Sequence, residues 1–141
     1  MTAETPAVAI VERWFAAFHH RWPEVADLEE MLTPDARFVE RPNLVSPEVR
    51  ERDRAGMEAG IAAGREVFAW QSYEPLGHVV SGDTVATRLL WKGELAIDAG
   101  PWEKGTRLTA WCVAHFTLRD GRIAQIEQHD CYEQPVTMLE G

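Results

Sequence analysis

The sequence predicts an α+β domain, and three observations predict it. Early in the chain, apolar residues recur at three- and four-residue intervals, as they do along one face of a helix. From Glu66 onward that spacing gives way to β-rich segments. Between those segments stand the pairs Gly82-Asp83 and Asp120-Gly121, which are turn residues of tight hairpins. Helices first and an antiparallel meander after is the order of an α+β fold.

Thr5-Pro6 opens the first helix, with Thr5 as N-cap and Pro6 at the first helical position, where its missing N–H is harmless. Val8, Val11, Phe15 and Phe18, flanked by Ile10, Trp14 and Ala17, give that helix one broad apolar face until Pro23 ends the pattern. A second helix reads over residues 24–32, where Leu28, Met31 and Leu32 repeat the spacing before Thr33-Pro34-Asp35 breaks it. Residues 36–41 form a short, half-buried strand. Ser46-Pro47 repeats the cap-plus-proline signal and predicts a third helix to about Gly64, with the charges of residues 48–54, including a Glu48/Arg52 pair, as its solvated face. On its inner side Gly56, Gly60 and Gly64 lie four apart beside Met57 and Ile61, and each costs a helix about 1 kcal/mol against alanine. Two readings stand: a backbone brought close to a sheet or ligand, or a loose helix that ends early. Strands follow over residues 66–73, 76–80, 84–94, 106–118 and 122–132, with Gly100-Pro101 marking a longer crest.

The 141 residues, 45% apolar, suit one core, and no repeat, low-complexity stretch or linker divides residues 1–141. Fourteen Lys+Arg against 23 Asp+Glu give a net charge of -9, which opposes nucleic acid and anionic lipid as partners. No apolar run approaches the roughly 20 residues of a membrane span. The N-terminus lacks the basic-then-apolar order of a signal peptide, so a cytoplasmic location is expected. Cys112 and Cys131 lack metal-ligand spacing and fit a reducing compartment. His19-His20 is read as facing the C-terminal dipole of the first helix, so neither a metal nor another cofactor is expected.

A two-residue turn at Asp120-Gly121 sets Arg119 against Arg122, Trp111 against Asp130 and Cys112 against His129. His115 then shares a face with Trp111, Val113, Ile126, Asp130 and Tyr132, while His129 and Cys131 fall on the other. The two cysteines become diagonal neighbours, too far apart for an unstrained disulfide and read as reduced core or pocket-wall residues. Ile123 and Ile126 land on opposite faces, which leaves either a sheet covered on both sides or a bulge that swaps the assignment downstream and exchanges the two histidines.

Three runs carry a family resemblance: Arg13-Trp14-Phe15-Ala16-Ala17-Phe18, Leu32 through Glu40, and Phe116 through Ile123 with Asp130 downstream. In their order and spacing the chain resembles the nuclear transport factor 2-like superfamily, in its ketosteroid isomerase-like and SnoaL-like polyketide cyclase branches. The resemblance spans about residues 6–132 and implies helices packed in the concave face of a curved antiparallel sheet, a cone with a hydrophobic pocket, and a homodimer. Glu40 matches the general-base position of the isomerases, and Asp130 the acidic position on the last strand of the cyclases, with His115 as partner. Trp14, Phe18, Phe38, Trp70, Trp91 and Trp111 would form the wall, with His129 beside them. Trp14 stands where the isomerases carry a tyrosine and offers an indole N–H in place of an acidic hydroxyl.

Three functions follow from that resemblance. The first is cofactor-independent proton transfer on a small hydrophobic molecule by an isomerase, cyclase, dehydratase or epoxide hydrolase. The second is a non-catalytic small-molecule binder, and the third a dimerisation module with a vestigial pocket. The plainer readings are a surface ion pair of Glu40 with Arg41, a backbone hydrogen bond for Asp130, and tryptophans that only fill a core.

Overall fold

The computed structural model describes residues 6–135, so the Thr5 cap lies outside the described residues. Within them the elements run α1 (Pro6–Phe18), α2 (Val25–Met31), β1 (Leu32–Glu40), β2 (Arg50–Arg52), α3 (Arg54–Val67), β3 (Phe68–Ser81), β4 (Thr84–Leu95), β5 (Arg107–Arg119) and β6 (Arg122–Tyr132). The strands form one open mixed sheet in the order β2-β1-β6-β5-β4-β3. The α+β class stands, but the sheet is not wholly antiparallel, because β1 runs parallel to β6. That pairing is reached by a long excursion of chain through α3 and the meander, which no local turn signal encodes.

Strict alternation on β5, buried then exposed, gives the sheet one covered face and one open face. Irregularities at Leu32/Arg37, Phe68/Trp70, Pro75/Gly77 and Thr117/Leu118 bend and twist the strands that curve around the helices. Phe15 of α1 meets Phe116 of β5 edge-on at 5.5 Å in the core. His78 of β3 ties Glu12 of α1, at 2.6 Å, to the buried Thr87 hydroxyl of β4, at 2.8 Å.

Several local expectations change. Residues 66–73 and 76–80 are not two strands: Glu66 ends in α3, and β3 continues through Pro75 with a bulge. The third helix does not start at Ser46-Pro47. Asn43 folds that loop, its Oδ1 accepting from the Val45 and Ser46 backbone N–H groups, and the working cap is Asp53, which accepts from Gly56 N at 2.8 Å. The charged run before it is the edge strand β2, antiparallel to β1, rather than a helix face. His19 and His20, directly after the last residue of α1, also clamp that helix to β3: His19 Nδ1 accepts from Tyr73 N at 3.0 Å, and His20 N donates to Gln71 O at 2.8 Å.

Candidate active site

The last hairpin begins in the register its turn dictates, Arg119 against Arg122 and Leu118 against Ile123. Asp120 and Gly121, at φ 53° and 77°, both take the left-handed conformation that such a turn needs. Then Thr117 pairs with Gln125, leaving Ala124 as an extra residue. The bulge turns both Ile123 and Ile126 inward and shifts every later residue by one. Asp130 therefore stands opposite Cys112, and His129 opposite Val113. The uninterrupted register, with Trp111 against Asp130 and Cys112 against His129, is corrected accordingly.

The concave side holds a cavity of about 250 Å³ between the sheet, α1 and α3. Glu40 and Asp130 both line it, with Trp14, Phe18, Phe38 and Trp91 in its walls. The shifted register puts His115 and His129 on the open face instead, their rings 6.2 Å apart. Trp111 lies there too, 48% exposed and donating its indole N–H to Glu133 at 2.8 Å. Trp70 is also outside the cavity, stacked on His20 with Arg107 over its ring. Cys131 is exposed and Cys112 buried, so the two thiols occupy opposite faces and both are free.

Among the described residues, neither carboxylate is tied up in an ion pair. Arg41 pairs with Glu127, not with Glu40, and Glu40 accepts one hydrogen bond from Asn43 Nδ2 at 2.9 Å. Asp130 accepts from Gln128 Nε2 at 2.8 Å. Since Gln128 is the β6 partner of Glu40, the two acids lie diagonally on adjacent strands of one face.

Around them are groups that sequence reasoning did not single out. Tyr73 and Tyr132 line the cavity, and neither hydroxyl has a hydrogen-bond partner among the described residues. Burial, and then the Asp130 charge, pushes both phenols well above their ordinary value of 10.0, so they remain neutral donors. The Cys112 thiol is pushed up by the same two causes and stays protonated. Gln71 is 5% exposed and accepts the Trp91 indole N–H at 3.1 Å, while its own Nε2 has no partner among the described residues.

Arg50 and Arg52 of β2 complete the cavity on its other side. The glycine spacing of α3 is explained there and in the adjoining turn of the helix. A Cβ on Gly56 would lie 3.1 Å from Arg52 Cβ, one on Gly60 2.7 Å from Arg52 Nη1, and one on Gly64 2.8 Å from the Trp22 ring. The helix thus offers a trough for one arginine and one indole, which is the close-approach reading and not the loose helix. The signal was present in the i, i+4 glycines, but which side chain would fill the trough depends on the long-range placement of β2.

Among the described residues, no group of three or more His, Cys, Asp or Glu side chains could hold a metal ion, and no helix is long and apolar enough to cross a membrane. The fold and its walled cavity define an α+β cone of the nuclear transport factor 2-like class. Residues 11–126 match the SnoaL-like domain, and the chain belongs to that family. It is similar to IdmH of Streptomyces antibioticus, a candidate polyketide cyclase, with 22% identity and a TM-score of 0.73 over 90% of this chain and 92% of that one. A candidate SnoaL-like polyketide cyclase from Jannaschia sp. CCS1 shares 19% identity and a TM-score of 0.73, covering 92% of this chain and 91% of the other. An NTF2-like protein of unknown function from Burkholderia pseudomallei shares 19% identity and a TM-score of 0.71, covering 90% and 92%. No curated protein matches the sequence.

Proposed function

We propose that this chain is a cofactor-independent acid–base enzyme acting on a small hydrophobic molecule, by chemistry of the isomerase, cyclase, dehydratase or epoxide hydrolase type. One observation carries the reading: Glu40 and Asp130 face one aromatic-walled cavity from adjacent strands, each hydrogen-bonded to a neutral amide and neither paired with a cation among the described residues. A carboxylate so placed can take a proton from carbon next to a carbonyl, and the second acid can return one elsewhere. The neutral hydroxyls of Tyr73 and Tyr132 are donors for the oxygen on which negative charge develops, the part that Trp14 cannot fill. Polyketide cyclase candidates among the similar structures support this class of chemistry. The test is turnover on a panel of carbonyl and epoxide compounds, with Glu40→Gln and Asp130→Asn beside the wild type. Loss of turnover in both variants with unchanged melting supports the reading, and ligand recovered unchanged from all of them supports a non-catalytic binder.

A homodimer through the open sheet face is a second part of the proposal. Val79 at 70%, Trp111 at 48% and Val113 at 38% exposure leave that face more apolar than a lone surface requires. Sedimentation of the wild type and of Trp111→Arg tests it: a dimer that the substitution dissociates supports the face, and a wild-type monomer removes it.

A further inference from the structure

We propose that two copies of this chain meet across their open sheet faces with the β5 strands aligned, so that β4 of each lies over β6 of the other, and that His115 and His129 loosen this dimer as pH falls. The inference rests on the sheet-face dimer of the preceding reading and names its orientation and its regulation.

Orientation follows from where the charges stand. Two rows of the open face cross β5: Arg88, Val113 and His129 form one, and Lys92, Thr109 and Glu133 the other. Trp111 projects between them. In each row the cation is on the β4 side, and the imidazole or the acid is on the β6 side. Arg88 and Lys92 are exposed and make no ion pair among the described residues. Glu133 is exposed too, its carboxylate accepting the Trp111 indole N–H.

A twofold contact is isologous, so the patch meets itself. Sheets that pack aligned keep their strands within about 30° of each other. A twofold axis across the strands would set β4 on β4, with Arg88 and Lys92 against the same two cations. An axis along β5 instead lays β4 over β6 of the other copy. Lys92 then meets the partner's Glu133, Arg88 meets the partner's His129, and the apolar Trp111 and Val113 meet their own copies in the middle. Opposite charges face each other in this second arrangement, which is why it is the favoured one.

The same placement carries the pH response. On the axis His115 meets the partner's His115, and to its side His129 meets the partner's Arg88. Neutral rings tolerate these contacts, whereas protonated rings set cation against cation. Within one copy, Arg88 stands diagonal to His115 on β4, and His129 diagonal to it on β6. Glu127 is the carboxylate beside both rings, directly across from His115 and two residues from His129. It is already bonded to Arg41 Nε at 2.6 Å, and that guanidinium holds its carboxyl below the usual range. Glu127 is thus engaged before either ring takes up a proton. Net charge acts with the opposite sign. At -9 two copies repel, and protonation lessens that repulsion. A dimer that loosens on acidification therefore reports the local histidines.

Sedimentation equilibrium at fixed ionic strength reads the dissociation constant at about pH 8 and about pH 5.5, on either side of the ordinary imidazole value. Circular dichroism checks that the chain is folded at both. From the higher to the lower pH the wild-type constant should rise about tenfold or more, the scale of like charges brought together in an interface. The double variant His115→Gln/His129→Gln should dimerise at the higher pH as the wild type does and lose the rise. At that pH Lys92→Glu should weaken the dimer, and adding Glu133→Lys should restore it. A constant that holds or falls on acidification, or a rise that persists in the double histidine variant, overturns the switch. A charge exchange that restores nothing overturns the orientation. In each of these cases the sheet-face dimer itself stands. A wild type that is monomeric at both pH values overturns that dimer and this inference together.

Discussion

Cys112 stands directly across the β5–β6 ladder from Asp130, a buried thiol beside a carboxylate that has an amide donor of its own. Burial first, and the carboxylate second, keep the thiol protonated, so it is a wall of the cavity and not a nucleophile. The exposed Cys131, one residue further on, lacks that protection.

Alkylation should tell the two apart. With iodoacetamide at mildly alkaline pH, mass spectrometry should find Cys131 modified first and Cys112 of the folded chain far more slowly, with Asp130→Asn quickening the reaction at Cys112. Equal rates at the two thiols would contradict the burial and charge assigned to Cys112.

The tyrosines give a pH dependence whose sign is fixed. The chain has two, and both are in the cavity with phenol values raised above the ordinary 10.0. Above that pH the unfolded chain releases phenolic protons that the folded chain retains, so stability is full below about pH 10 and declines as pH rises beyond it. A spectrophotometric titration should show tyrosinate appearing together with loss of near-ultraviolet circular dichroism. Tyr73→Phe should lessen the alkaline loss, and tyrosinate formed in a folded chain would contradict the account.

The α3 trough makes a stability prediction. A Cβ at Gly64 would meet the Trp22 ring at 2.8 Å, and a rigid indole yields less readily than the tip of an arginine. Gly64→Ala should therefore cost about 1–3 kcal/mol by overpacking, whereas Gly77→Ala, with nothing within 4 Å, should be near neutral. Denaturant unfolding of the two variants checks the contrast, and a stabilised Gly64→Ala would contradict the packing.

The cap of α3 is a further check. Asp53→Ala removes the acceptor for Gly56 N and should cost about 1 kcal/mol. The same change at Ser46, whose hydroxyl donates to the Glu48 carbonyl, should leave α3 intact. Hydrogen exchange along residues 54–67 measures both effects.

These features divide by how local their cause is. α1, β6 and both hairpin turns could be read from the chain because period and turn chemistry act over a few residues. Ser46-Pro47 imitated a helix start, while the short Arg50–Arg52 strand has no apolar pattern to identify it. The parallel β1–β6 pairing joins distant segments and has no turn to announce it. The Ala124 bulge left one trace, the conflict between Ile123 and Ile126; it carries Asp130 to the covered face, but it leaves both His115 and His129 on the open one rather than exchanging them. Glu40, Asp130 and four aromatic walls were found through positional resemblance. Gln71, Tyr73, Arg50 and Arg52 were missed because they reach the cavity only once the sheet closes over α3.

Proton movement by Glu40 and Asp130 within the cavity can be followed by nuclear magnetic resonance of solvent deuterium entering the carbon next to the carbonyl of a bound cyclic ketone, such as 2-tetralone, with the rate compared among wild type, Glu40→Gln and Asp130→Asn. The account predicts exchange above the buffer rate in the wild type, reduced about 100-fold or more in at least one variant whose melting temperature is unchanged. Exchange at the buffer rate in a wild-type protein that binds the ketone, or equal exchange in all three proteins, would contradict it.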